Sequence, residues 1–221
     1  MTNHLITVTD LTWGYDDSPS LVFDHFDFHL DQGEFVVLSG KSGAGKSSLV
    51  KLLLGQVSAP AKSLYHKGED MARYEYDEMQ LYRRNVGVVF QDYKLLDWLS
   101  VKDNILYPLR IAELDAEIIE EKLNAVVELL HLEKYIDTPV HLLSGGHKQK
   151  VAIARALIHN PEFIMADEPT GNLDREDTKR IADVLLDLHG RWVTVMLVTH
   201  DLHLIEYMKL KKTIRVVHMW Q

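Results

Sequence analysis

The chain has 221 residues, with 33 acidic against 24 basic side chains, a formal net charge of −9 and no cysteine. That length allows one large domain with room for an insertion. The acidity argues against a general nucleic-acid binder, and the missing thiols exclude disulfides, thiolate metal sites and cysteine nucleophiles.

The first residues, "MTNHLITVTDLTWGY", show neither the basic start nor the apolar run of a signal peptide. No stretch reaches the roughly 20 apolar residues of a spanning helix. The expectation is a chain on the cytoplasmic side, held at a membrane only through a partner. Alternating residues in "HLITVTDLTWGY" and "VFDHFDFHLDQG" predict twisted antiparallel strands. "EFVVLSG" predicts a buried strand running into the glycine-rich "GKSGAGKSS", and "SSLVKLLLG" a helix stopped at Gly55. "VGVVFQ", Val86 to Gln91, predicts another buried strand.

From Asp92 the character changes. "DAEIIEEKLNAVVELLHL" places apolar residues at helical spacing in an acidic segment. It predicts a helical subdomain over 92–145, inserted into an α/β core made of 1–91 and 146–221, the whole being one domain. Strand and helix signals then alternate: "VAIARALI", "EFIMADE", a helix from Asp174 to His189, "WVTVMLVTH" and a final strand in "KTIRVVHMW". That alternation predicts a parallel sheet flanked by helices.

"GKSGAGKS" matches the phosphate-loop pattern G-x-x-x-x-G-K-S in full, between a strand and a helix. The candidate phosphate binders are Gly40, Lys41, Ser42, Gly43, Ala44, Gly45, Lys46, Ser47 and Ser48. Glycines let backbone amides approach phosphate oxygens, Lys46 reaches the β- and γ-phosphates, and the Ser47 hydroxyl suits Mg²⁺. "FIMADE" ends a buried strand in Asp167 and Glu168. Alone, two acids at a strand end are usually just a solvated end. Beside a phosphate loop, Asp167 is placed to hold Mg²⁺ and Glu168 to polarise the attacking water. His200 and Gln91 end their strands in the same way, His200 within reach of a γ-phosphate and Gln91 of Mg²⁺ and water. Tyr15 is placed to stack on an adenine, its bland alternative being a strand aromatic. The twelve histidines show no metal-ligand spacing.

A second glycine turn, "LSGGHKQKVAIARAL", opens a helix and so suits an anion. Taken in order, the phosphate loop at 40–47, Gln91, "LSGG" at 143–146, "ADE" at 166–168, "NLD" at 172–174 and "TH" at 199–200 carry a resemblance. Over essentially its whole length the chain resembles the ATP-binding subunits of ATP-binding-cassette (ABC) systems. The resemblance implies a P-loop fold with a RecA-like parallel core, an N-terminal antiparallel β subdomain and an α-helical insertion. It implies hydrolysis of ATP to ADP and phosphate with Mg²⁺, using Lys46, Glu168 and His200, the metal held by Ser47, Gln91 and Asp167. It also implies a head-to-tail homodimer with two ATP molecules between the subunits. The phosphate loop of one subunit and Ser144, Gly145, Gly146 and Gln149 of the other then clamp one nucleotide, while Asp174 aligns the halves. This explains two glycine segments in one chain.

The family commonly continues "LSGG" with Glu or Gln, then Gln, Gln and Arg; here stand His147, Lys148, Gln149 and Lys150. "ADEPTGNLD" is similar to the branch holding lipoprotein-release, macrolide-export and cell-division ATPases, and "FQDYKLL" looks most like the cell-division type. The compact length, with nothing after the final strand, agrees. A proline that often follows "LL" is missing from "LDWLSVKDN", and "APAKSLYHKGEDMARYEYDE" is unusual text. The implied partner is a permease-like integral membrane protein docking near Asp92–Pro108, through which ATP use controls cell-wall hydrolysis. Nucleic acid is not an expected partner. A metabolite kinase would leave "LSGGHKQ" and His200 without a task. A translation-type protein would carry two cassettes, and a DNA-repair cassette a long coiled coil. A dead binding module would not need Lys46, Asp167, Glu168 and His200 together.

Overall fold

A computed structural model describes residues 4–111 and 114–219. Trp220, at the end of the last expected strand, lies outside the described residues.

Two sheets organise the chain. In the first, β1 (His4–Trp13) pairs antiparallel with β2 (Phe23–Asp31). A short hairpin, β4 (Leu64–His66) and β5 (Glu69–Asp70), completes the order β2-β1-β4-β5. The second sheet is parallel: β3 (Phe35–Ser39), β6 (Val86–Phe90), β7 (Phe163–Asp167), β8 (Thr194–Thr199) and β9 (Arg215–His218), in the order β6-β7-β8-β3-β9.

Every residue of β3 and β8 is buried, which is why both read as unbroken apolar runs. Successive side chains feed two cores. Phe35, Val37, Ile164, Ala166, Val195 and Leu197 point into one; Val36, Leu38, Phe163, Met165, Met196 and Val198 point into the other. The first core is closed by α3 (Val101–Leu106), α4 (Ala116–Leu130), α5 (Gly145–Leu157), α6 (Arg175–Gly190) and α7 (Leu202–Lys211). The second is closed by α1 (Lys46–Leu53) and the antiparallel sheet. The expected strands and the α/β core are therefore present.

The segment between β6 and α5 is helical, as its spacing predicts, but its first ten residues are irregular chain. Asn104, fully buried, organises that entry: its Oδ1 accepts from Leu96 N at 2.8 Å and its Nδ2 donates to Ser100 O at 3.0 Å. The hairpin β4–β5 and a helix, α2 (Tyr76–Arg84), were not foreshadowed by the sequence patterns. The strands have three and two residues, and α2 buries only Tyr82. Glu162, just before β7, ties the two sheets together, accepting from Lys67 Nζ at 2.6 Å and lying 3.0 Å from His66 Nε2.

Candidate active site

Register places the site. Phe90 on β6 is level with Asp167 on β7, Asp167 with Val198 on β8, and Thr199 with Ser39 at the end of β3. The residues that follow each strand therefore emerge side by side at the carboxyl edge of the sheet, where open α/β folds bind ligands. Gln91, Glu168, Thr199 and His200, and the loop after Ser39, all meet there.

The loop after β3 depends on glycine at two points. Gly45, in the left-handed region at φ 83, leads into α1, and a Cβ on it would lie 2.7 Å from Val22 Cγ1. A Cβ on Gly40 would lie 2.8 Å from the Met219 carbonyl. Lys46 is buried and folds back across the loop, donating to Gly40 O at 2.8 Å and Lys41 O at 3.0 Å. Its ammonium lies 3.8 Å from Glu168 Oε1. Behind the loop, the Tyr15 hydroxyl is 3.1 Å from Ser48 Oγ, and its ring meets Trp13 edge-on at 4.7 Å. Tyr15 is thus a partly exposed aromatic beside the phosphate loop.

Glu168 has φ 46, a left-handed conformation that costs a side-chain-bearing residue of order 1 kcal/mol. Its Oε1 lies 2.7 Å from His200 Nδ1, and its Oε2 accepts from Thr199 Oγ1 at 3.2 Å. Burial raises the Asp167 carboxyl above the ordinary aspartate range and the adjacent Glu168 charge adds to this, while a Ser47 hydrogen bond and Lys46 oppose it. Asp167 Oδ1 is buried without a hydrogen-bond partner. A buried, unpaired carboxylate oxygen next to the Ser47 hydroxyl is a donor set that suits a hard cation such as Mg²⁺. Gln91, which follows the neighbouring strand, lies against the turn after Glu168: a Cβ on Gly171 would lie 2.6 Å from the Gln91 side-chain amide nitrogen, and Asn172 Nδ2 donates to Gln91 O at 2.9 Å. Gln91, Glu168 and His200 all line an open cleft of about 740 Å³ that extends to Tyr207.

The second glycine turn stands in different surroundings. Ser144 caps α5, its hydroxyl accepting from His147 N at 3.3 Å. A Cβ on Gly146 would lie 2.5 Å from the Asp177 carboxyl, and one on Gly145 3.1 Å from Leu173 Cδ2 and Tyr93 Oη. The turn thus packs on α6 and on the chain after β6, whereas the phosphate loop packs on Val22, Phe23 and Met219. Gln149 departs from expectation. It is fully buried, with neither side-chain polar atom hydrogen-bonded, and faces the interior of its own chain rather than an open clamp. Asp174 spends its carboxylate on the amides of Glu176 and Asp177, capping α6.

Two features escaped the sequence. Thr199, fully buried, supports Glu168 and also accepts from Asp201 N at 3.1 Å; "TH" drew attention only to its histidine. His4, His29 and Asp31 bring ligand-type atoms within 4.8 Å of one another, a convergence produced by the β1–β2 pairing and invisible as linear spacing. Near the expected docking stretch, a groove of about 660 Å³ is lined by Arg83, Phe90, Pro108, Leu109, Lys122 and Arg155. Pro108 alone of residues 92–108 lines it, among the described residues, while Trp98 and Tyr107 stand exposed nearby in the chain.

A phosphate loop opening α1 beside strand-end acids defines a P-loop ATPase. The model of the ABC transporter family matches residues 23–171, and the chain belongs to that family. It is an ATP-hydrolysing enzyme of the P-loop ABC type. It is 35% identical over 202 residues to the cell division ATP-binding protein FtsE of Haemophilus influenzae, covering 91% of this chain and 93% of that protein. It is also 33% identical to the putative hemin import ATP-binding protein HrtA of Staphylococcus haemolyticus, covering 89% of each. Among solved structures, a dimeric post-hydrolysis state of the ATP-binding cassette MJ0796 bound to ADP and Pi superposes with a TM-score of 0.82 at 27% identity, covering 97% of this chain and 94% of that one.

Proposed function

We propose that the chain is the ATP-hydrolysing subunit of a membrane complex of the cell-division type, working as a head-to-tail homodimer at the cytoplasmic face of the membrane beneath an FtsX-type permease-like partner. The observation that carries the chemistry is the Glu168 carboxylate, held between Thr199 and His200 with Lys46 alongside.

In this reading the amides of Gly43 to Ser48 and the Lys46 ammonium bind the phosphates. On ATP entry Lys46 exchanges its bonds to the Gly40 and Lys41 carbonyls for phosphate oxygens. Glu168, fixed by Thr199, accepts a hydrogen bond from the attacking water and orients it in line with the γ-phosphate. His200, exposed on the cleft, donates to the γ-phosphate as charge develops. Ser47, Asp167 and Gln91 would hold Mg²⁺, which would supply positive charge against the phosphates. Tyr15 stacks on the adenine. Ser144, Gly145 and Gly146 close over the partner's γ-phosphate, Gln149 supports that turn from within, and Asp174 fixes the start of α6 between the halves. The FtsE likeness over nearly the full length of both chains and the "FQDYKLL" text support the cell-division type. The groove beside Pro108, with exposed Trp98 and Tyr107, would receive the partner's cytoplasmic segment.

The test is Glu168→Gln. Hydrolysis falls by about a thousandfold or more, ATP binding persists, and ATP traps a dimer visible by sedimentation. Wild-type turnover in that variant would remove Glu168 from its role. The trapped dimer is also the bait for the membrane partner. Recovery of an importer, exporter or lipoprotein-release permease, in line with the HrtA likeness, would replace the cell-division assignment and leave the ATPase mechanism standing.

A further inference from the structure

Ser144 carries one hydroxyl hydrogen, and the direction in which it points decides whether it can grip a phosphate. Its oxygen already accepts from the His147 amide, and it lies 2.7 Å from Nδ1 of the same residue's ring. Two arrangements are open to that pair. With Nδ1 unprotonated, the hydroxyl donates to the ring and presents only lone pairs to an incoming phosphate. With Nδ1 protonated, in the neutral Nδ1–H tautomer or in the imidazolium, the ring donates to Oγ and the hydroxyl hydrogen is released for a phosphate oxygen, whose negative charge favours the imidazolium. We propose that His147 is a positioning residue that sets the donor direction of Ser144, so that clamping the partner's γ-phosphate takes up a proton at each signature turn. The proposal rests on the head-to-tail reading above.

The surroundings of the ring fit a group that waits neutral and gains its proton on closure. The Tyr135 ring packs on it at 4.3 Å between centroids. Lys150 on the same helix and Arg180 on α6 face it as cations, and Asp177 on α6 faces it as an acid. Burial lowers its basicity first, the two cations add to this, and Asp177 opposes it. An arriving γ-phosphate reverses the sign of the local field and favours the imidazolium. Nucleotide clamping and protonation then strengthen each other, as linkage requires.

The experiment measures ATP-dependent dimerisation of Glu168→Gln by sedimentation between about pH 5.5 and 8.5, with and without His147→Gln. An amide at 147 carries no titrating proton in this range, whichever of its atoms faces Ser144, so the double variant should dimerise with a much flatter pH dependence. The single variant should weaken about tenfold per pH unit for each turn that takes up a proton. Binding of a fluorescent ATP analogue to the monomer should be the same in both, which verifies that the fold is intact. Equal slopes in the two variants, or no slope in the single one, overturn the role of His147 and leave the dimer reading in place. Absence of a dimer at any pH in both overturns the head-to-tail reading and this inference with it.

Discussion

Glu168 sits in a conformation that a side chain tolerates only where its surroundings hold it, and three neighbours do so here. Val198 O accepts from its amide at 2.8 Å, while Thr199 and His200 fix its two carboxylate oxygens. Of these, Thr199 is the least conspicuous, and it is fully buried. Thr199→Val keeps the shape, removes the hydroxyl from Glu168 and leaves the Asp201 amide without its acceptor. Losing a buried hydrogen bond in this way costs about 1–2 kcal/mol. The expected result is a lower melting temperature and roughly a tenfold lower kcat, with KM for ATP little changed. A matching loss in nucleotide affinity would show that Thr199 supports the phosphate loop instead. At this scale the acids and the lysine were legible because their chemistry is tied to type and order. Thr199 was not, because a threonine closing a buried β strand is ordinary on propensity alone.

Helix α5 shows how far one element can be read. Its start was visible, since Ser144 followed by two glycines and an apolar run is a capped, anion-facing turn. The burial of Gln149 was also present in the pattern. Residues 149, 152, 153 and 156 share one face at helical spacing, and all four are buried. The position within a motif obscured that face. An amide buried with both polar atoms unpaired carries a desolvation cost that an apolar side chain of similar shape avoids. Gln149→Met is therefore expected to leave stability unchanged or raise it by up to about 2 kcal/mol, read as an upward shift in thermal unfolding. A marked loss of stability would mean that the amide finds partners in solution. By contrast, α2 and the hairpin before it were illegible. Their strands are too short for alternation, and a nearly all-polar helix gives no periodic signal.

For the molecule as a whole, the sequence carried the α/β class and a parallel sheet flanked by helices. It did not carry the order β6-β7-β8-β3-β9, because strand order is set by crossover packing rather than by any local pattern. Nor did it indicate the polar tie that Glu162 makes between the two sheets. Burial pushes this carboxyl up, but hydrogen bonds from Lys67 and His66 outweigh it and leave the group below the ordinary glutamate range. A depressed acid adds stability above its unfolded value and loses it as the pH falls through its folded value. Glu162→Gln should thus lower stability at neutral pH by about 1 kcal/mol or less, since solvent screens a partly exposed pair. The gap from wild type should close below roughly pH 4, as followed by urea unfolding across pH. A gap that persisted in acid would assign the effect to packing rather than charge.

The separate surroundings of the two glycine segments have a consequence for inheritance. In the proposed head-to-tail pair, each nucleotide site would be built from the phosphate loop of one copy and the signature turn of the other. A chain damaged at Ser144 would then still bind its own ATP and still pair with an intact companion, and would spoil the site whose phosphate loop belongs to that companion. Lesions at the turn should therefore behave as dominant when both alleles are expressed, and two alleles broken in different segments should together restore one whole site.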